Sequence, residues 1–103
     1  MSPDRGSETK VRSLDQFKPS PHVRLFDSPK TVLLGLDEGE EVAPHRHPDE
    51  NVVLHVVEGE MEVELDGTPH VVEENEVIRF DGGSEVSPLA RTGSKAVLVF
   101  EEK

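Results

Sequence analysis

No apolar run after residue 30 is longer than six residues, and each is cut off by a turn-forming cluster. The runs are Thr31–Leu36, Val52–Val57, Val71–Val72, Val77–Phe80 and Ala96–Phe100. Between them stand Asp37-Glu38-Gly39, Glu58-Gly59, Asp66-Gly67, Asp81-Gly82-Gly83 and Thr92-Gly93-Ser94. Runs this short cannot form helices that bury a face, whereas they are the usual length of strands joined by tight turns. In Glu60-Met61-Glu62-Val63-Glu64-Leu65-Asp66 the alternation is strict, which puts Met61, Val63 and Leu65 on a core face and four carboxylates in solvent. The expected class is all-β, an antiparallel sandwich or barrel.

The first 30 residues differ. MSPDRGSETKVRSLDQFKPS is polar and weakly periodic, which predicts a partly disordered arm with a short ordered piece around Val11–Phe17. The stretch HVRLF, between Pro21 and Pro29, reads as an edge strand. The expected organisation is therefore an arm over 1–30 and one barrel domain over 31–103.

Charge divides at the same place. Residues 1–30 hold six Lys/Arg and four acids, whereas residues 31–103 hold five Lys/Arg and 18 acids. So negative a body repels phosphate backbones, and nucleic acid is an unexpected partner. Self-repulsion of this size is best tolerated where salt screens it, which suggests a halophilic source; an ordinary acidic protein has the same composition. The absence of Cys rules out disulfides, thiolate metal sites and Cys nucleophiles. No apolar run approaches the ~20 residues of a membrane helix, and no signal-peptide pattern opens the chain, so the expectation is a cytoplasmic protein. No phosphate-cradling loop or dinucleotide fingerprint suggests a nucleotide or flavin.

The residues able to carry chemistry are histidines: His22, His45, His47, His55 and His70. On an extended strand His45 and His47 face the same side, so both imidazoles can converge on one divalent ion. Pro44 and Pro48 restrict the backbone around them. The competing reading is a polar remnant without a ligand. Glu50 is the candidate third ligand, with Asn51 beside it. If Val52, Leu54 and Val56 point inward, His55 points outward; a bulge that shifts the register would turn it inward as a ligand. His70 belongs to a surface hairpin. Arg79 either points into the barrel or pairs with a neighbouring acid.

The run from Gly39 through Pro44-His45-Arg46-His47 to Gly59 resembles the first motif of the cupin superfamily: Gly, five residues, His-x-His, three or four residues, Glu, six residues, Gly. Asn75–Gly83 resembles the start of the second motif. The resemblance covers roughly residues 30–100 and implies a short antiparallel β-barrel of the jelly-roll (double-stranded β-helix) type. It also implies association as a homodimer, with the N-terminal arm able to cross to the partner, and a divalent metal (Fe, Mn, Ni or Zn) at the barrel mouth. Two departures stand out. Val52 occupies the place of the motif Glu, and the second motif's His position falls near Val86 and Ser87. Two functions follow: a metal site built on His45, His47 and Glu50, or a metal-free barrel that binds a small molecule or acts as an interaction module.

If the charge of residues 31–103 reflects adaptation to salt, the melting temperature should rise steeply between low and molar KCl, because the Debye length shrinks to about 3 Å at 1 M. A flat or falling curve identifies ordinary acidity.

Overall fold

The computed structural model describes residues 8–103, so the first seven residues of the expected arm lie outside the described part. Among the described residues, a 3₁₀ turn at Leu14–Gln16 is followed by eight strands. They are β1 (His22–Asp27), β2 (Lys30–Leu36), β3 (Glu50–Glu58), β4 (Met61–Leu65), β5 (Thr68–Val72), β6 (Val77–Asp81), β7 (Val86–Ala90) and β8 (Ser94–Glu102). One sheet has the order β1-β2-β8-β3-β6 and the other β5-β4-β7, and every pairing is antiparallel. The fold is all-β, a jelly-roll barrel of two facing sheets. None of the described helices is long and apolar enough to cross a membrane.

Alternation decides which face is buried. On β3, Val52, Leu54 and Val56 are fully buried, while Val53 and His55 between them are not. In register with them, Ala96, Leu98 and Phe100 of β8 point to the same interior. Met61 and Val63 of β4 meet them from the other sheet, both fully buried, as the alternating segment predicts. Each such side chain contributes roughly 1.5–3 kcal/mol through loss of apolar surface from water. The β4–β5 hairpin turns on Asp66 and Gly67, both at positive φ (50° and 84°), as a two-residue turn matched to strand twist requires.

β1 lies within the first 30 residues and is the edge strand of the larger sheet, so the barrel reaches back to residue 22. The segment before it rests on the outer face of the same sheet. Pro19 packs on Gly35, where a Cβ would collide with the proline ring, and the Arg12 guanidinium lies 5.5 Å from the Phe26 ring centroid.

β7 carries no strand signal in the sequence, because Val-Ser-Pro-Leu-Ala has a proline at its centre. It pairs with β4 on one side and with the irregular segment 39–47 on the other. The backbone bonds of this second seam are Gly39 N to Ala90 O, Ala90 N to Glu40 O, Val42 N to Pro88 O, and the reciprocal pair between His45 and Val86 at 3.1 and 2.8 Å. Pro88 has no N–H to donate back to Val42. The Ser87 hydroxyl donates to the Val42 carbonyl instead, at 2.7 Å, and Ser87 is buried. Ser87→Ala leaves that carbonyl without its donor, so it should cost about 1–3 kcal/mol in chemical denaturation. Loss of under a few tenths would show that water replaces the hydroxyl.

Candidate functional site

Between the sheets, Val56, Met61, Val63 and Ala96 are fully buried and close one end of the core. Towards the other end the layers part around a cavity of about 360 Å³. Its walls are mostly aliphatic and aromatic: Val32, Leu34, Val52, Leu54, Val86 and Leu98, with Phe80 and Phe100. His45 and His47 form a polar end, and His22, Arg24 and Lys30 line it from β1 and β2.

Backbone bonding to two elements seats the imidazoles. His45 is fixed by its pairing with Val86 of β7. The His47 amide donates to Gly82 O at 2.7 Å, and the Gly82 amide donates to Glu50 O at 2.8 Å. The His47–Glu50 turn therefore sits directly on Gly82, where a Cβ would collide with both the His47 and Glu50 carbonyls. Sequence reasoning treats Gly82-Gly83 as a turn only. The reason for glycine at 82 is this close approach, which bonding to the distant residues 47 and 50 creates and no local pattern signals. Arg46, between the two histidines, points away and donates to Gly83 O at 2.6 Å.

The rings meet edge to face, with centroids 4.9 Å apart, and His47 makes the same contact with Phe100. His45 Nδ1 lies 2.9 Å from Ala43 O. A carbonyl only accepts, so Nδ1 carries the hydrogen and the neutral ring keeps its lone pair on Nε2. Burial lowers the pKa of His47 below its ordinary value, aided by the neighbouring His45 and Lys30 and opposed by Glu50. At neutral pH His47 is uncharged.

The other sequence candidates separate. Glu50 Oε1 lies 3.9 Å from His47 Nδ1 and also 3.4 Å from Lys30 Nζ, so its carboxylate is shared with a cation. Asn51 is opposite Asp81 and Glu101 in the sheet. His55 takes the outward alternative, in a row with Val77 and Val97. His70 is exposed on β5. Arg79 is exposed opposite Val53 on the outer face, so the inward alternative for it fails. The structure adds Arg24 and Lys30, which sequence reasoning counts only in the charge of the first 30 residues, and it brings His22 of the expected edge strand to the same wall. Period-2 alternation on β1 and β2 was the available signal.

Residues 32–100 match the family profile described as a cupin domain. The chain belongs to the cupin family. The sequence matches no curated protein. Among solved structures, KdgF from Halomonas sp. superposes with a TM-score of 0.78 at 18% identity, covering 93% of this chain and 96% of that one. An RmlC-like cupin from Shewanella frigidimarina NCIMB 400 gives 0.64 at 26% identity, covering 72% and 66%. A predicted oxalate decarboxylase from Thermotoga maritima gives 0.71 at 18% identity, covering 80% and 79%. At 18% identity, the first and third show a shared fold alone.

The metal that cupins often hold can be set against this donor set. Val86 is directly opposite His45, and Val52 is also on the cavity wall, so the two positions that would supply further ligands present methyl groups. No group of three His, Cys, Asp or Glu able to hold a metal forms among the described residues. A four-ligand cupin centre does not fit.

The lowered His47 pKa has a stability consequence. The unfolded chain takes up this proton near pH 6.5, before the folded chain does. The stabilising preference for neutral His47 is therefore complete above that pH and is lost as pH falls through the lowered folded pKa. Thermal melts between about pH 7.5 and 5 should show a decline that His47→Asn reduces. An equal decline in the variant would assign it to other groups.

Proposed function

We propose that this cupin binds a small molecule in its cavity, with His45 and His47 as the hydrogen-bonding end of the site. The observation that carries the reading is the apolar replacement at Val52 and Val86, which turns a ligand sphere into a cavity wall continuous with Leu54, Phe80 and Phe100. Apolar walls with a few convergent polar groups are the ordinary construction of a small-molecule site. His45, with its tautomer held by Ala43, presents an acceptor at Nε2, and neutral His47 can donate or accept.

A metal centre of His45, His47 and Glu50 is the second reading, and the free Nε2 of His45 favours it. In that centre the ion and the Lys30 ammonium would share the Glu50 carboxylate. Fe, Mn, Ni or Zn held there would act as a Lewis acid or redox centre with open positions.

One experiment separates the two. With neutral cyclohexanemethanol as probe, imidazole NMR signals of His45 and His47 should shift in chelator-treated protein, and Val32→Phe, which fills the cavity, should abolish the shift. The metal reading predicts that Zn, Mn or Ni raises the melting temperature at about pH 7.5, equivalent to ~2.7 kcal/mol at a hundredfold excess over Kd. It also predicts that Glu50→Gln weakens this gain and that His45→Ala/His47→Ala removes it. A metal response unchanged in the double variant would belong to the acidic surface. A silent probe combined with a His-dependent metal response would replace the first reading by the second.

A further inference from the structure

The charge around the cavity narrows the ligand class. Acids outnumber Lys/Arg by 18 to five over residues 31–103, yet among the described residues no Asp or Glu lines the cavity. His22, Arg24 and Lys30 do line it, together with His45 and His47. In a chain of net charge −11, this segregation puts cationic groups on the cavity wall.

Strand register explains how β1 and β2 deliver them. His22 and Arg24 are two residues apart and pair with Leu34 and Val32, both of which line the cavity. Cross-strand partners share a face, so both basic side chains turn to the cavity side. Lys30 extends the same row on β2 and pairs with Phe100 of β8. Its Nζ lies 4.4 Å from the Phe100 ring centroid, which holds the ammonium against the cavity wall.

Two of these cations have acidic neighbours outside the lining. Arg24 Nη1 is 3.4 Å from Asp27 Oδ1, and Lys30 Nζ is 3.4 Å from Glu50 Oε1. Among the described residues each has one acidic neighbour, and a guanidinium carries five N–H groups and an ammonium three.

We propose that the cavity takes a small organic monoanion with an apolar body, its acid group meeting Arg24 and Lys30 and its body lying against Leu34, Leu54 and Leu98. The proposal rests on the small-molecule reading above. It specifies the ligand's charge, and that can fail while the reading survives. The volume of about 360 Å³ lies near the lower end of the roughly 300–1,000 Å³ usual for small-molecule sites.

The test is calorimetric titration of the full, chelator-treated chain at about pH 8, where free histidine is neutral. The three probes share one body: cyclohexanecarboxylate, cyclohexanemethanol and cyclohexanemethylamine. The carboxylate should bind about tenfold or more tightly than the alcohol, through charge-assisted hydrogen bonds, and the amine most weakly. Arg24→Gln/Lys30→Met should bring the carboxylate to the level of the alcohol, with alcohol binding reporting that the barrel is intact. Equal binding of alcohol and carboxylate, or a preference that survives the double substitution, overturns the anion assignment and leaves the small-molecule reading in place. If none of the three binds, both are overturned.

Discussion

The seam between residues 39–47 and β7 is the interaction on which the site depends. It has no regular strand on one side and a proline in the middle of the other. It still closes through five backbone hydrogen bonds and the Ser87 hydroxyl. Because His45 is one of its rungs, the imidazole position is set by sheet pairing and not by a free loop. His47 is two residues further on and is held separately by the bonds to Gly82. A pairing energy distributed over the barrel thus places two side chains, to which the Ala43 carbonyl adds a local bond at His45.

Much of the architecture was legible because it depends on alternation. The runs at 31–36, 52–57, 77–80 and 96–100 all lie within strands, and Met61 and Val63 are as buried as the pattern of residues 60–66 requires. β7 was not legible. Proline at 88 argues against a central strand, and the compensation by Ser87 exists only once Val42 is beside it. The same limit applies to Gly82, whose role depends on the carbonyls of His47 and Glu50.

The site was legible in part. The spacing of His45 and His47 predicts convergence, and their rings are in contact. The apolar character of positions 52 and 86 was visible as a departure from the family motif. Its consequence, an enlarged aliphatic wall, needed the two residues to be placed around one cavity. Glu50 shows the opposite case: its spacing allows ligation, and its distance to Lys30 gives it a competing partner. The strand at residues 22–26 was legible, but which of its side chains face the cavity was not, because that depends on its register with β2. The strand that carries His22 and Arg24 is part of the barrel.

The central claim is that the 39–47 seam is structural and holds His45 in place. Native-state amide hydrogen exchange tests it most directly, read at Val42, His45 and Val86, whose amides donate within the seam. The account predicts that these three exchange with protection comparable to Val52 and Leu54 of β3, as members of one cooperative unit. Exchange at rates typical of an exposed loop, with β3 still protected, would contradict it.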